Sequence, residues 1–279
     1  METGEPFKTI SRRPKINTHG NQTAASRGIL NRMRIATPAL IFWPILLATV
    51  FIQPVCAANQ GESISYIRAQ IIKAYGGKKI LERTVAVHAI GHIDAFMRQD
   101  RGSYGLFFKR PRKLFVETRY QRSSETRILN GDTGYRTMNN APLSKVNGYR
   151  LLSMVYQYKH FDLPYGLLQN AYKVTFKGKE ALNGRPVLVL HLADKEGPPM
   201  DAYVDAGRFL IVKVTGHFVL GPGMAATLSS EFSDFRKVDG AVFPFKVTYY
   251  AGGMKIAQTV FKSYQVNPPI PDSLFKPGP

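Results

Sequence analysis

The sequence contains few of the residue patterns that carry catalysis or metal binding. GxSxG, HExxH, CxxC and Walker-type glycine motifs are absent from the 279 residues, and Gly221-Pro222-Gly223 lacks the third glycine of a dinucleotide site. The one cluster of histidines with a carboxylate consists of His88, His92 and Asp94. In a strand these residues share a face, but they are too extended for an easy tetrahedral zinc site. We interpret them as surface residues and expect no catalytic residue, no metal and no cofactor.

The basic run KRPRK, residues 109 to 113, is the second chemically distinctive stretch. Its proline indicates the corner between two strands. Two interpretations remain open for Lys109, Arg110, Arg112 and Lys113. They form either a solvated turn or a contact with lipid headgroups or with an acidic, membrane-associated partner. Nucleic acid is not expected, because the other cations are scattered along the chain.

Large apolar side chains are the third candidate feature. The segment EFSDFRKVDGAVFPFKVTYY, residues 231 to 250, contains an Asp-Gly pair between two runs rich in aromatic and β-branched residues, which predicts a hairpin. Alternate residues of its second strand lie on one face, which covers either the protein core or a bound guest. Several other strands are apolar on both faces, so the pattern leaves open which face is core and which is cavity. The candidate cavity residues are Phe107, Phe115, Tyr172, Val174, Phe176, Phe218, Phe232, Phe243, Phe245, Val247 and Tyr249.

Two helices are predicted to cover this face as a lid. ESISYIRAQIIKAYGG, residues 62 to 77, carries an apolar stripe at helical spacing and ends at Gly76-Gly77. The segment from 148 to 170 has the same spacing, and Pro164 is expected to begin a further short helix there. The candidate lid residues are Ile64, Ile67, Ile71, Leu152, Val155 and Tyr156.

The remaining segments from Thr84 onward predict strands joined by turns. Asn183-Gly184, Asp239-Gly240 and Gly252-Gly253 are hairpin dipeptides, so strands that are neighbours in sequence are expected to pair antiparallel. So large a sheet curls as its strands twist. We therefore predict a mostly β, α+β fold: a curved, incomplete antiparallel barrel of roughly nine to eleven strands with the two helical segments as a lid.

The N-terminal region predicts export. The apolar run ALIFWPILLATVFI, residues 39 to 52, is shorter than the roughly 20 residues of a membrane-spanning helix. Small residues at 55 and 57 favour a signal peptide cleaved near Ala57 or Ala58, with a membrane anchor as the alternative. Translation from Met33 would account for the unpatterned, basic stretch before it. We predict a single domain over 58–279, periplasmic and monomeric.

The exported domain is strongly basic and contains no cysteine. Seven cations and two anions precede residue 58, so the net charge of +19 for the whole chain becomes +14 for the domain. Such a charge favours encounters with anionic lipid headgroups or acidic protein surfaces.

The order of segments resembles the LolA-like superfamily of outer-membrane lipoprotein-sorting proteins, over about residues 62 to 277. Seven stretches carry the resemblance: IIKAYGGKKI, FFKRPRKLFVET, ETRILNGDTGYRTMN, KGKEALNGRPVLVLHL, AYVDAGRFLIVKV, FSDFRKVDGAVFPFKV and VNPPIPDSLFKP. The resemblance implies a curved, incomplete barrel with a helical lid. It also implies that the chain binds lipid or lipoprotein acyl chains, as members of the superfamily do.

Three functions remain open at this stage. The first is a non-enzymatic periplasmic carrier of lipid or lipoprotein acyl chains. The second is a regulator or adaptor that senses a lipid or lipoprotein, and the third is a cofactor-free enzyme in the same concavity.

Overall fold

The computed structural model describes residues 60–277 of the chain, with side chains from Ile64 onward. The predicted signal peptide, its cleavage site and the alternative start at Met33 lie outside these residues. The helices are α1 Gln60–Ala74, α2 Lys78–Arg83 and α3 Gly148–Leu168. The strands are β1 Ala86–Ala95, β2 Asp100–Lys109, β3 Lys113–Tyr120, β4 Ser124–Asn130, β5 Thr133–Met138, β6 Ser144–Val146, β7 Lys173–Leu182, β8 Arg185–Ala193, β9 Met200–Asp205, β10 Ile211–Gly221, β11 Met224–Val238, β12 Ala241–Ala251 and β13 Met254–Val266.

All thirteen strands form one antiparallel sheet in the order β6-β5-β4-β3-β2-β1-β13-β12-β11-β10-β9-β8-β7. The edge strands β6 and β7 do not pair with each other, so the curved sheet stays open and the predicted fold class is confirmed. The strand count exceeds the prediction of nine to eleven. The region 124–146 supplies three short strands, while its sequence pattern shows mainly a turn.

Two-residue hairpins join many of these neighbours as predicted. The dipeptides Asn183-Gly184, Asp239-Gly240 and Gly252-Gly253 all have positive φ at both residues. Such angles match the twist of the flanking strands and favour asparagine, aspartate and glycine.

Helix α1 ends close to the predicted glycine pair. Gly76 has a φ of 110°, and a Cβ placed there would lie 2.4 Å from the carbonyl oxygen of Gly240. Glycine is therefore required both by the backbone angle and by the close approach of the β11–β12 turn. This contact fixes the start of α2 against that turn.

Helix α3 differs from its prediction at the C-terminal end. Pro164 lies inside the continuous helix and does not begin a new one. Proline removes one backbone hydrogen bond, but Leu163 and Leu167 on either side are 1% exposed and anchor the last turns in the core.

The face covered by α1 and α3, which we call the inner face, carries the main core. The opposite, outer face carries a smaller cluster around Ala86, Ile128, Ile270 and Phe275, brought there by the C-terminal segment. None of the helices between residues 60 and 277 is long and apolar enough to cross a membrane.

Phe107 and Phe115 pack against this outer cluster. Their neighbours Leu106, Phe108 and Leu114 belong to the main core instead. Since successive residues of a strand face opposite sides, the expectation that Phe107 and Phe115 line the inner concavity is wrong.

Candidate functional site

The corner between β2 and β3 is anchored by Arg110. Its guanidinium donates to the carboxylate of Asp162 on α3 at 2.7 Å and to the carbonyl oxygens of Leu81 and Thr84 at 2.8 and 2.6 Å. It also lies 3.6 Å from the centre of the Tyr165 ring. One largely buried side chain therefore joins the corner to α2 and α3.

The flanking lysines hold the C-terminal segment. Lys109 and Lys113 donate to the two carboxylate oxygens of Asp272 at 2.7 and 2.8 Å. The two lysines lower the pKa of Asp272 to about 2. This pairing ties the C-terminal segment to the corner of the sheet.

Arg112 completes the corner. Its guanidinium lies 3.0 Å from Asp132 and 3.4 Å from Glu196, and its backbone N–H donates to the hydroxyl of Tyr158 on α3.

All four cations of the corner are therefore paired with carboxylates of the protein itself. These ion pairs give the corner a role within the fold, and the contact with headgroups or an acidic partner stays a prediction.

The inner face beside this corner is closely packed. Between α2, the second half of α3 and strand β12 lies a cavity of about 50 Å³. A single water needs roughly 10–15 Å³ by this measure, so the cavity holds a few small molecules at most. We call this the closed end of the inner face.

A larger cleft opens beyond it, between the first half of α3 and the sheet. Its volume is about 350 Å³, within the range of roughly 300–1,000 Å³ of small-molecule sites. Tyr149, Ser153 and Tyr156 of α3 form one wall, and side chains of seven strands, together with two from the β1–β2 connection, form the other. The opposite wall consists of Ile93, Ala95, Met97, Arg98, Tyr104, Tyr120, Glu125, Arg127, Leu228, Ser229, Ser230, Tyr249, Tyr250, Ile256 and Ala257. We call this the open end.

A polar wall separates the cleft from the small cavity. Tyr104, Gln157, His160 and Tyr249 line both spaces. The amide nitrogen of Gln157 donates to the hydroxyl of Tyr104 at 2.8 Å, while Gln157 Oε1 and His160 Nε2 are buried with no protein partner. Burial lowers the pKa of His160 to about 3. The wall is therefore uncharged at neutral pH and offers unused hydrogen-bonding groups.

Charges lie nearer the mouth of the cleft. Glu125 is 2.8 Å from Arg136, 3.5 Å from Arg127 and 4.0 Å from Arg98. Burial opposes ionisation of Glu125, but the arginines outweigh it and lower its pKa. The carboxylate is thus ionised and surrounded by a surplus of cations.

The structure brings only some of the candidate cavity residues to these spaces. Phe232, Phe243 and Val247 line the small cavity, and Tyr249 lines both spaces. Of the lid candidates, Tyr156 lines the cleft.

Other candidates belong to the packed core. Phe218 meets the Tyr156 ring edge-on at 5.7 Å, and Phe245 meets Tyr264 at 5.0 Å. Tyr172 is buried in the same core. Val174 and Phe176 of the edge strand β7 are half-buried against it.

The lid candidates divide in the same way. Ile67, Ile71 and Val155 are buried in the main core, while Ile64 and Leu152 are half-buried. Ile67 and Ile71 hold α1 in the core, and Val155 does the same for α3.

The sequence interpretation missed the polar members of the site: Gln157, His160, Glu125 and Arg127. Gln157 and His160 are three residues apart within a helix whose other core-facing positions are mostly apolar. That spacing is the signal that indicates them. Glu125 and Arg127 alternate along β4 and carry no distinguishing pattern.

A carboxylate-centred cluster on the outer face was also missed. Asp201 accepts from His191 at 2.8 Å, His217 at 2.9 Å and Lys177 at 3.1 Å. These residues come from four neighbouring strands, so no short sequence pattern reveals them.

No metal site was found in the part of the chain that the structure describes. His88, one of the three residues interpreted from sequence as surface residues, stacks on Phe107 with ring centres 4.0 Å apart and contacts Gln265 at 3.1 Å.

The chain matches no protein-family model and no curated protein. Solved structures do resemble it. A DUF1329 family protein from Desulfovibrio piger has 10% identity and a TM-score of 0.50, with 76% of this chain and 97% of that chain covered. A putative outer membrane lipoprotein-sorting protein domain from Vibrio parahaemolyticus has 11% identity and a TM-score of 0.50, with 78% and 97% covered. The chain therefore has the LolA-like fold that its segment order predicted.

Proposed function

We propose that the protein is a non-enzymatic periplasmic carrier that binds lipid or lipoprotein acyl chains in the cleft of about 350 Å³ between α3 and the inner face. This cleft is the observation that carries the proposal. Apolar and aromatic side chains make up much of its walls.

The energetics favour an enclosed site for such a cargo. Exposing an acyl chain to water costs about 0.8 kcal/mol per methylene, or on the order of 12 kcal/mol for fifteen methylenes. That cost is comparable to the stability of a whole domain, roughly 5–15 kcal/mol. A carrier must therefore shield the chain, and a cleft with an open mouth allows its release.

The polar wall orients the bound lipid. Gln157 Oε1 and His160 Nε2 lack protein partners and lie where the cleft ends. A buried polar group without a partner costs on the order of 1–3 kcal/mol. An uncharged linkage of a lipid, such as an ester or amide, would satisfy these groups.

The test is the lipid content of the purified protein. Protein expressed with its export signal is isolated from the periplasm and analysed by native mass spectrometry, followed by organic extraction. We expect a lipid of defined mass that is removed by extraction.

A bulky side chain in the cleft should exclude this lipid. Ser153 lines the cleft on α3, while Ala69 on α1 is exposed. We expect Ser153→Trp to reduce the loaded fraction several-fold and Ala69→Trp to leave it unchanged. Wild-type protein that carries no lipid, or equal loading of the two variants, would contradict the proposal.

A further inference from the structure

Six large apolar side chains are exposed together along one side of the sheet, where turns join the ends of neighbouring strands. They lie in or directly beside the turns that join β1 to β2, β12 to β13 and β10 to β11. The exposed fractions are 42% for Phe96, 64% for Met97, 57% for Met254, 78% for Val219, 44% for Leu220 and 61% for Met224. We call these six residues the apolar tips.

The three hairpins are consecutive in the sheet. Strands β2, β1, β13, β12, β11 and β10 follow one another in the hydrogen-bonded order, and all three turns lie at the same ends of these strands. The apolar tips therefore form a row that crosses the ends of these six strands. Most of the other exposed large apolar side chains, such as Tyr66 and Val85, lie elsewhere.

This row borders the mouth of the cleft. Met97 belongs both to the apolar tips and to the cleft wall, and Arg98 beside it also lines the cleft. Ile256 and Leu228, a few residues inside the other two turns, line it as well. A surface that meets the apolar tips thus lies next to the opening of the cleft.

Cations accompany the apolar tips. Lys255 lies 4.4 Å from the centre of the Phe96 ring, and Arg98 and Arg101 are exposed in the neighbouring turn and strand. Counted from residue 58, the chain carries the net charge of +14 that follows from its composition. Apolar groups flanked by cations on a basic protein match the interface of an anionic bilayer.

The shape of the surface distinguishes a bilayer from a protein partner. A stable protein interface buries a continuous patch of about 800 Å² on each side. The apolar tips instead project from three separate turns, two of which have glycine at the apex, Gly223 in one and Gly252-Gly253 in the other. Separate projections each insert into a fluid lipid interface without needing matched pockets.

We propose that the apolar tips dock the protein on an anionic membrane surface, with the mouth of the cleft at the lipid interface. The proposal stands on the exposed turns and their charges and does not depend on which molecule the cleft holds.

The test is flotation, with vesicles, of protein that is expressed with its export signal and purified from the periplasm. Vesicles of phosphatidylglycerol and phosphatidylethanolamine are compared with vesicles of phosphatidylcholine alone, at low and high salt. We expect binding to the anionic vesicles, weaker binding at high salt, and little binding to phosphatidylcholine.

Two matched double variants locate the contact. Val219→Ser with Met224→Ser removes two apolar tips, while Val85→Ser with Tyr66→Ser removes two exposed apolar side chains elsewhere, at 47% and 58% exposure. Serine leaves the net charge unchanged, so the comparison isolates the apolar term. We expect the first pair to weaken vesicle binding about tenfold or more and the second less than about twofold.

Several outcomes would overturn the inference. They are wild-type protein that binds neither vesicle, equal binding by the two double variants, or wild-type binding that is identical on both lipid compositions. Lipid loading of the same variants is measured by native mass spectrometry. This readout tests the proposed function separately, because Met97 is the one apolar tip that also lines the cleft.

Discussion

The two ends of the inner face differ in how fully their polar groups are paired and in how much space remains between the side chains. At the closed end, charged groups of the corner find partners within the protein, and the remaining cavity is about 50 Å³. At the open end, a cleft of about 350 Å³ remains and apolar tips face solvent, and on the wall between the two spaces polar atoms of Gln157 and His160 lack partners. Satisfied groups contribute stability, whereas unsatisfied ones are usually retained for an interaction with something else. The difference indicates that the closed end stabilises the fold, whereas the open end interacts with another molecule.

The sharpest test of this difference removes Arg110. In Arg110→Met, the carboxylate of Asp162 stays buried without a partner, and two carbonyl oxygens lose their donor. Breaking a buried ion pair by removing one partner typically costs about 3–5 kcal/mol. We expect a decrease of that size in the free energy of unfolding, measured by urea denaturation.

Arg119 near the open end is the matched control. It is paired with Glu117 but is 69% exposed, so Arg119→Met should change the free energy of unfolding by less than about 0.5 kcal/mol. The double variant Arg110→Met with Asp162→Leu should recover part of the loss, because no unpaired carboxylate remains. Equal effects at Arg110 and Arg119 would remove the distinction between the ends.

His160, on the wall between the two spaces, predicts a dependence of stability on pH. Its pKa is lowered to about 3 by burial between rings including those of Tyr156 and Phe232, whereas an unfolded histidine titrates near 6.5. Below pH 6.5 the unfolded chain binds a proton that the folded chain does not, so stability is complete above this pH and is lost as pH falls toward 3.

The expected slope is about 1.4 kcal/mol per pH unit within this window. Urea denaturation between pH 7 and 4.5 should show the slope in the wild type and a shallower one in His160→Leu. Parallel curves for the two proteins would mean that His160 is protonated in the folded state and that the wall is charged.

Much of the fold follows from local pattern. The hairpin dipeptides, the glycine pair after α1 and the apolar stripe of that helix each act over a few residues, so their sequence is sufficient to predict them. Alternation also predicts which residues share a face, but not which face is inner. Phe107 and Phe115 illustrate this limit, because only the position of the C-terminal segment decides that they are covered from outside.

The site depends on contacts between distant segments and was therefore less predictable. KRPRK has the composition of a surface that binds anions. The partners that neutralise it are Asp132, Asp162, Glu196 and Asp272, and three of the four lie far from it in sequence. Likewise, Gln157 belongs to a cleft only because β2, β11 and β12 pass beneath α3. Local sequence gives the types of these residues, and tertiary packing decides their roles.

The smallest expected effect concerns Asp272, whose side chain is 55% exposed. Lys109 and Lys113 lower its pKa from the ordinary value of 3.8 to about 2. A carboxylate with a lowered pKa stabilises the folded state fully above its ordinary pKa, and this contribution is lost as pH falls through about 2. Asp272→Asn should reproduce the loss at neutral pH, and because solvent screens the pair, only the C-terminal segment should respond. We expect faster amide hydrogen exchange in residues 270 to 276 and unchanged exchange in α3. Faster exchange throughout α3 would instead show that the C-terminal segment helps to hold the whole closed end.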